Sequence, residues 1–130
     1  MVKMFTLNDI RPYEQEIIAW RRQIHRQPEP GFDTVLTHDY ISMELEREGI
    51  ETIPHVGKNS LIGIIRNGFG PVIGLRADID ALPVKEETPD RGFKSQREGF
   101  MHACGHDAHA AMLLGAAKLL NDHKDRWSGT

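Results

Sequence analysis

The chain has 130 residues, 39% of them hydrophobic and 27% charged, with a formal net charge of −3. That is the size and balance of one globular domain able to bury a core, and the mildly acidic charge, with no Lys/Arg cluster interleaved with aromatics, excludes nucleic acid as a partner. No apolar run approaches the ~18 residues of a membrane span and the opening Met1–Ile10 lacks a signal-peptide core, so no membrane attachment is expected; with a single cysteine, a reducing, cytoplasmic setting is the default.

Ile10, Tyr13, Ile17, Trp20 and Ile24 recur at spacings of three and four, which predicts an amphipathic helix with Pro12 in its first turn. The run from His25 to Phe32 holds two prolines and a glycine and must be a loop. Thr34 opens a second helix with Val35, Leu36, Tyr40, Ile41 and Leu45 facing inward; Glu44, Glu46 and Glu48 form its solvated face and Gly49 closes it. Beyond Ile50 the pattern turns extended. Ser60–Arg66 and Pro71–Ala77 flank Asn67-Gly68-Phe69-Gly70 and predict a hairpin, whose near-continuous hydrophobicity implies strands covered on both faces. The class is therefore α/β, a mixed sheet flanked by helices. Val84–Gly99 is polar and reads as a long loop with solvated charges. A last helix carries Met112, Leu113, Ala116, Ala117, Leu119 and Leu120 in the core.

Two clusters carry chemistry. Asp78 and Asp80 face the same way if a strand persists through them, and strand ends are where α/β proteins place ligands, although a pair of Asp residues after a strand is also ordinary turn chemistry. Met101-His102-Ala103-Cys104-Gly105-His106-Asp107-Ala108-His109 gathers three of the seven histidines and the only cysteine. Thiolate and imidazole bind borderline-soft divalent metals best, and Cys104 and His106 can share an ion if Gly105 turns the backbone. Asp107 is placed to cap the helix that follows. His25, His38, His55 and His123 read as surface or loop residues. A lone cysteine is otherwise most often a small buried hydrophobe.

Arg76-Ala77-Asp78-Ile79-Asp80-Ala81-Leu82-Pro83 and Met101–His109 resemble the two signature segments of the M20 metallopeptidases, in the amidohydrolase branch that includes hippurate hydrolases, auxin-conjugate hydrolases and N-acyl-amino-acid amidohydrolases. His25–Phe32 and Trp127–Thr130 follow the same pattern more weakly. The resemblance implies that Cys104 and His106 are metal ligands and that Asp80 orients a ligand beside the metals. Asp78 stands where other branches have a ligand histidine and is not assigned to the metal; Asp78, His102, Asp107 and His109 are site-lining candidates. By the same resemblance, residues 1–130 are a partial catalytic domain, the N-terminal portion of a zinc-peptidase-like fold. The paired glutamates, further histidine ligands and a dimerisation or lid domain would lie in later segments.

The implied reaction is hydrolysis of the amide bond of a small N-acyl amino acid by a homodimer or higher oligomer. One or two divalent ions, zinc or manganese, would polarise the carbonyl and lower the pKa of a water toward ~7 while a glutamate takes its proton. The 130 residues alone are expected to be inactive. Two other readings are a metal-independent thiol hydrolase using Cys104 with a histidine base, and a non-catalytic binding module retaining a remnant of the metal site.

Overall fold

The computed structural model describes residues 4–130; Met1–Lys3, the start of the stretch read for a signal segment, lie outside the described residues. In chain order it has α1 (Leu7–Ile10), a 3-10 turn (Arg11–Tyr13), α2 (Glu14–Arg26), α3 (Val35–Arg47), β1 (Glu51–Val56), β2 (Ser60–Ile64), α4 (His106–Asp122) and a second 3-10 turn (Lys124–Arg126). The class is α/β, as expected. The first predicted helix is divided because Pro12 has no N–H to give, and it sits in the tight turn between α1 and α2. No helix among the described residues is long and apolar enough to cross a membrane.

The core lies where the three long helices meet. Trp20 and Ile24 of α2, Ile41 and Leu45 of α3, and Ala110, Ala111 and Leu114 of α4 form one buried cluster with Ile50. Small residues on α4 let α2 approach closely: a Cβ on Gly115 would stand 2.6 Å from Ile17 Cδ1. Polar contacts fix the register of the same helices. Trp20 Nε1 donates to Glu44 Oε2 at 2.9 Å, and Lys118 Nζ donates to Glu16 at 3.1 Å and to Glu48 at 2.6 Å.

Several expectations are corrected. The hairpin forms one strand earlier: β1 pairs antiparallel with β2, with a register irregularity between Ile53 and Val56, and it turns at Gly57 rather than at Asn67-Gly68. The sheet is thus small and antiparallel. Asn67 instead bonds the chain end, its N–H donating to Gly129 O at 2.8 Å, while Ile73 N–H donates to Thr130 O at 2.9 Å. Val72, Ile73 and Leu75 are 80%, 70% and 60% exposed, so this run is not covered on both faces. Its β-branched character is real, but no described strand lies beside it.

Three helical faces also differ from the pattern. Val35 and Leu36 are exposed, because Thr34, Thr37 and His38 take the inward side at the start of α3, and Glu44 is buried to receive the indole of Trp20. Met112 is exposed, since Ala110, Ala111, Leu114 and Gly115 form the inward stripe of α4. His25 and His38 are buried rather than on the surface, and His38 Nδ1 donates to Asn59 O at 3.0 Å.

The closeness of α2 and α4 can be tested. Gly115→Val should lower stability by about 2 kcal/mol through overpacking against Ile17, read as a shifted urea midpoint. An unshifted midpoint would show that the two helices are not in contact there.

Candidate metal centre

The two chemical motifs are 20 to 30 residues apart in sequence and are clasped together by main-chain bonds. Leu82 N–H donates to Met101 O and Met101 N–H to Leu82 O, both at 3.0 Å. One residue earlier, Ala81 N–H donates to Glu29 O at 2.7 Å, so the proline-rich loop holds the other side of the same segment. Glu29 is itself fixed, because its carboxylate receives Leu36 N–H at 3.0 Å and Thr37 N–H at 2.7 Å at the start of α3. A carboxylate is favoured there by the unpaired N–H groups and the positive end of the helix dipole. Thr34, the N-cap of α3, makes no capping bond with its side chain.

Within this clasp Asp80 meets His106. His106 Nδ1 lies 2.9 Å from Asp80 Oδ1 and 3.0 Å from Asp80 O. The Asp80 carbonyl can only accept, so Nδ1 donates, and in the neutral ring Nε2 keeps its lone pair. A carboxylate behind an imidazole in this way sets the tautomer and aim of a metal-binding histidine.

The remaining candidates are placed as follows. Cys104 is an exposed free thiol, not a packed hydrophobe. His109 is exposed, one helical turn along, with its ring 5.3 Å from that of His106. Asp78 receives Arg76 at 2.6 Å, and no strand runs through Asp78 and Asp80. His102 is buried, with no partner for either ring nitrogen among the described residues, and desolvation pushes its pKa down.

Asp107 does not serve as the cap of α4; that position is Gly105, whose φ of 84° is the left-handed turn glycine allows. The Asp107 carboxylate is instead fully buried. It lies 2.7 Å from His25 Nδ1 and 2.8 Å from Arg21 Nε, both on α2, and 2.9 Å from Ala108 N–H. On its other side, His25 Nε2 lies 3.3 Å from Glu86 Oε1. Glu86 is buried too, against the expectation of solvated loop charges, and accepts from Ser95 N–H at 2.7 Å and Thr88 Oγ1 at 2.9 Å.

Comparison with known proteins places this geometry. Residues 74–130 match the model of "Peptidase family M20/M25/M40". The chain is 48% identical over 124 residues to thermostable carboxypeptidase 2 of Saccharolobus solfataricus, covering 94% of this chain and 31% of that protein. It is 42% identical over 118 residues to the hippurate hydrolase of Campylobacter jejuni, covering 90% and 30%. It is 44% identical over 114 residues to IAA-amino acid hydrolase ILR1-like 5 of Arabidopsis thaliana, covering 88% and 26%. The fold superposes with a TM-score of 0.81 at 43% identity on the Bacillus subtilis YXEP protein, described as a dinuclear metal binding peptidase from the M20 family, covering 87% and 32%. The chain is thus similar to M20 peptidases along most of its length, and the family model itself matches residues 74–130. The chain spans about a third or less of the length of these M20 relatives.

The two motifs, which resemble those of M20 peptidases, fit part of a divalent-metal site. The aimed His106 and the exposed Cys104 thiol are suitable donors on one turn, but no group of three or more His, Cys, Asp or Glu side chains gathers as a metal cage among the described residues. His25 and Glu29 were missed as supports for this site, and Glu86 as the buried carboxylate beside His25. Their positions in a loop and at a helix end carry no periodic signal, and only the clustering of His25 and Glu29 about Pro28 and Pro30 hinted at them.

The cluster around His25 gives a pH dependence. The Asp107 contact outweighs desolvation and, with Glu86, raises the pKa of His25; Asp107 and Glu86 are held low, their N–H, His25 and Arg21 contacts overcoming the burial that opposes them. The charged-His25 contribution to stability is complete below the ordinary histidine value of about 6.5 and is lost as pH rises through the raised folded value. The carboxylate contributions are present above the ordinary carboxylate range and are lost as pH falls through the lowered folded values. Melting temperature should therefore fall on the alkaline side of about pH 6.5, and His25→Asn should flatten that limb. A parent limb equally steep in the variant would assign the effect to another group.

Proposed function

We propose that this chain supplies part of the metal centre of a hydrolase that cleaves the amide bond of N-acyl amino acids, with Cys104 and His106 as ligands. The observation that carries it is the Asp80 to His106 contact, which joins the two sequence motifs in space and frees Nε2 for a metal. The names of the relatives support the substrate class: IAA-amino acid hydrolase, hippurate hydrolase and N-acetylcysteine deacetylase each describe an acyl group released from an amino acid.

In this reading Asp80 is a positioning residue, and its carboxylate keeps the His106 proton on Nδ1 through the reaction cycle. Cys104 supplies negative charge from the exposed side of the turn, and a reducing cytoplasm keeps it a free thiol. Zinc is the ion that a thiolate and imidazole pair favours over manganese. When bound, the ion supplies Lewis-acid polarisation of the amide carbonyl. The described residues bring no glutamate to His106 as a base, so the 130 residues alone should show no turnover. A thiol hydrolase is less well supported, because no histidine is hydrogen-bonded to Cys104 among the described residues.

Cobalt(II) titration of the chain tests the ligands. The parent should develop a thiolate-to-cobalt charge-transfer band, Cys104→Ser and His106→Ala should abolish it, and Asp80→Ala should weaken binding about tenfold or more, all with unchanged far-UV dichroism. No band in the parent, or an undiminished affinity in Cys104→Ser, would overturn the assignment.

A further inference from the structure

The Asp107 carboxylate is adjacent in sequence to His106 yet points the opposite way, into the protein, where it is fully buried against α2. Its buried partner is His25, an otherwise unused histidine that lies on a different helix from the metal motif. Both nitrogens of that ring face carboxylates, Asp107 at 2.7 Å and Glu86 at 3.3 Å, so both carry hydrogens and the ring cannot rotate without losing a bond. The edge of Phe93 packs against it with ring centroids 5.9 Å apart. Arg21, the other partner of Asp107, is a third exposed and lies over the Phe93 ring at 5.2 Å, so it holds the carboxylate from the rim while His25 holds it from the interior.

We propose that His25 is a positioning residue for the metal-binding turn: by holding Asp107 from behind, it sets the direction in which Cys104 and His106 face. Asp80 grips His106 from the solvent side of the turn and His25 grips the next residue from the core side. With both in place the first turn of α4 is fixed at two points. With Asp80 alone, the turn can pivot about the left-handed Gly105 and the two donors part. The inference rests on Cys104 and His106 being the ligands.

The two hydrogen bonds of His25 can be separated by substitution. The amide nitrogen of asparagine stands near the place of Nδ1 and can donate to Asp107, whereas that of glutamine stands near Nε2 and can donate to Glu86. The test is cobalt(II) affinity of the 130-residue chain, read from the thiolate band, alongside thermal melting. His25→Ala and His25→Gln should lose about tenfold or more in affinity, the range for a residue acting behind a metal ligand. His25→Asn should stay within about threefold of the parent while melting lower like the other two. Glu86→Gln, which leaves the Asp107 contact in place, should bind like the parent.

Equal losses in His25→Asn and His25→Gln, no loss in any His25 variant, a His25→Asn chain that fails to fold, or a tenfold loss in Glu86→Gln would each overturn the proposal. If His25→Gln does not fold, retention in His25→Asn and Glu86→Gln against a loss in His25→Ala decides in its favour. A parent chain with no thiolate band would instead remove the ligand assignment on which the proposal stands, so the two failures are distinct.

Discussion

A fully buried carboxylate cannot be left without partners, and Asp107 is the one in this chain on which the placement of the helices depends. Removing one partner of a buried ionic pair typically costs about 3–5 kcal/mol, a large part of a small domain's whole stability. Apolar contacts between α2 and α4 would allow some sliding, because hydrophobic burial is non-directional. The contacts of His25 and Arg21 with Asp107 do not. They lock the C-terminal half of α2 to the first turn of α4, and Lys118 with Glu16 locks the two helices further along.

The site is built at the end of this locked pair by segments with no regular structure. Glu29, anchored on the start of α3, holds Ala81; Leu82 and Met101 hold each other; Asp80 then reaches His106. The series starts at the N-terminal end of α3 and finishes at the first turn of α4, with loop-to-loop hydrogen bonds between. That arrangement suits a metal site, which needs its donors aimed more accurately than a free loop would aim them, while leaving the donors themselves at the surface. Cys104 remains exposed for this reason, although a free cysteine is among the most often buried of residues.

The apolar run through Val72, Ile73 and Leu75 departs from this economy. Its side chains are exposed, and its main chain is bonded to Thr130 through Pro71 and Ile73, next to the Asn67–Gly129 pair. Gly129 is required there, since its φ is 114° and an added Cβ would lie 2.4 Å from Pro71 O. The pairing is therefore a specific one between two extended segments, even though it is too short to count as a strand.

The sequence by itself determined the α/β class, the three long helices and the two motifs, because these depend on local periodicity, on proline and glycine, and on residue types whose chemistry is individually restrictive. Cys104, His106 and Asp80 could be named from such signals together with a family resemblance. It could not show which extended run pairs with which. Ser60–Ile64 has a hydrophobic pattern that would suit either neighbour, and the choice of Glu51–Val56 was made by packing of the pair beneath α3. Nor could it show that His25, Glu29, Glu44 and Glu86 are interior. A charged residue in a loop or on a polar helix face looks solvated until its partner is known, and decisive partners here are 24, 61 and 82 residues away along the chain. Only the tertiary structure decided those positions, since the burial of a charge depends on what comes to meet it in space.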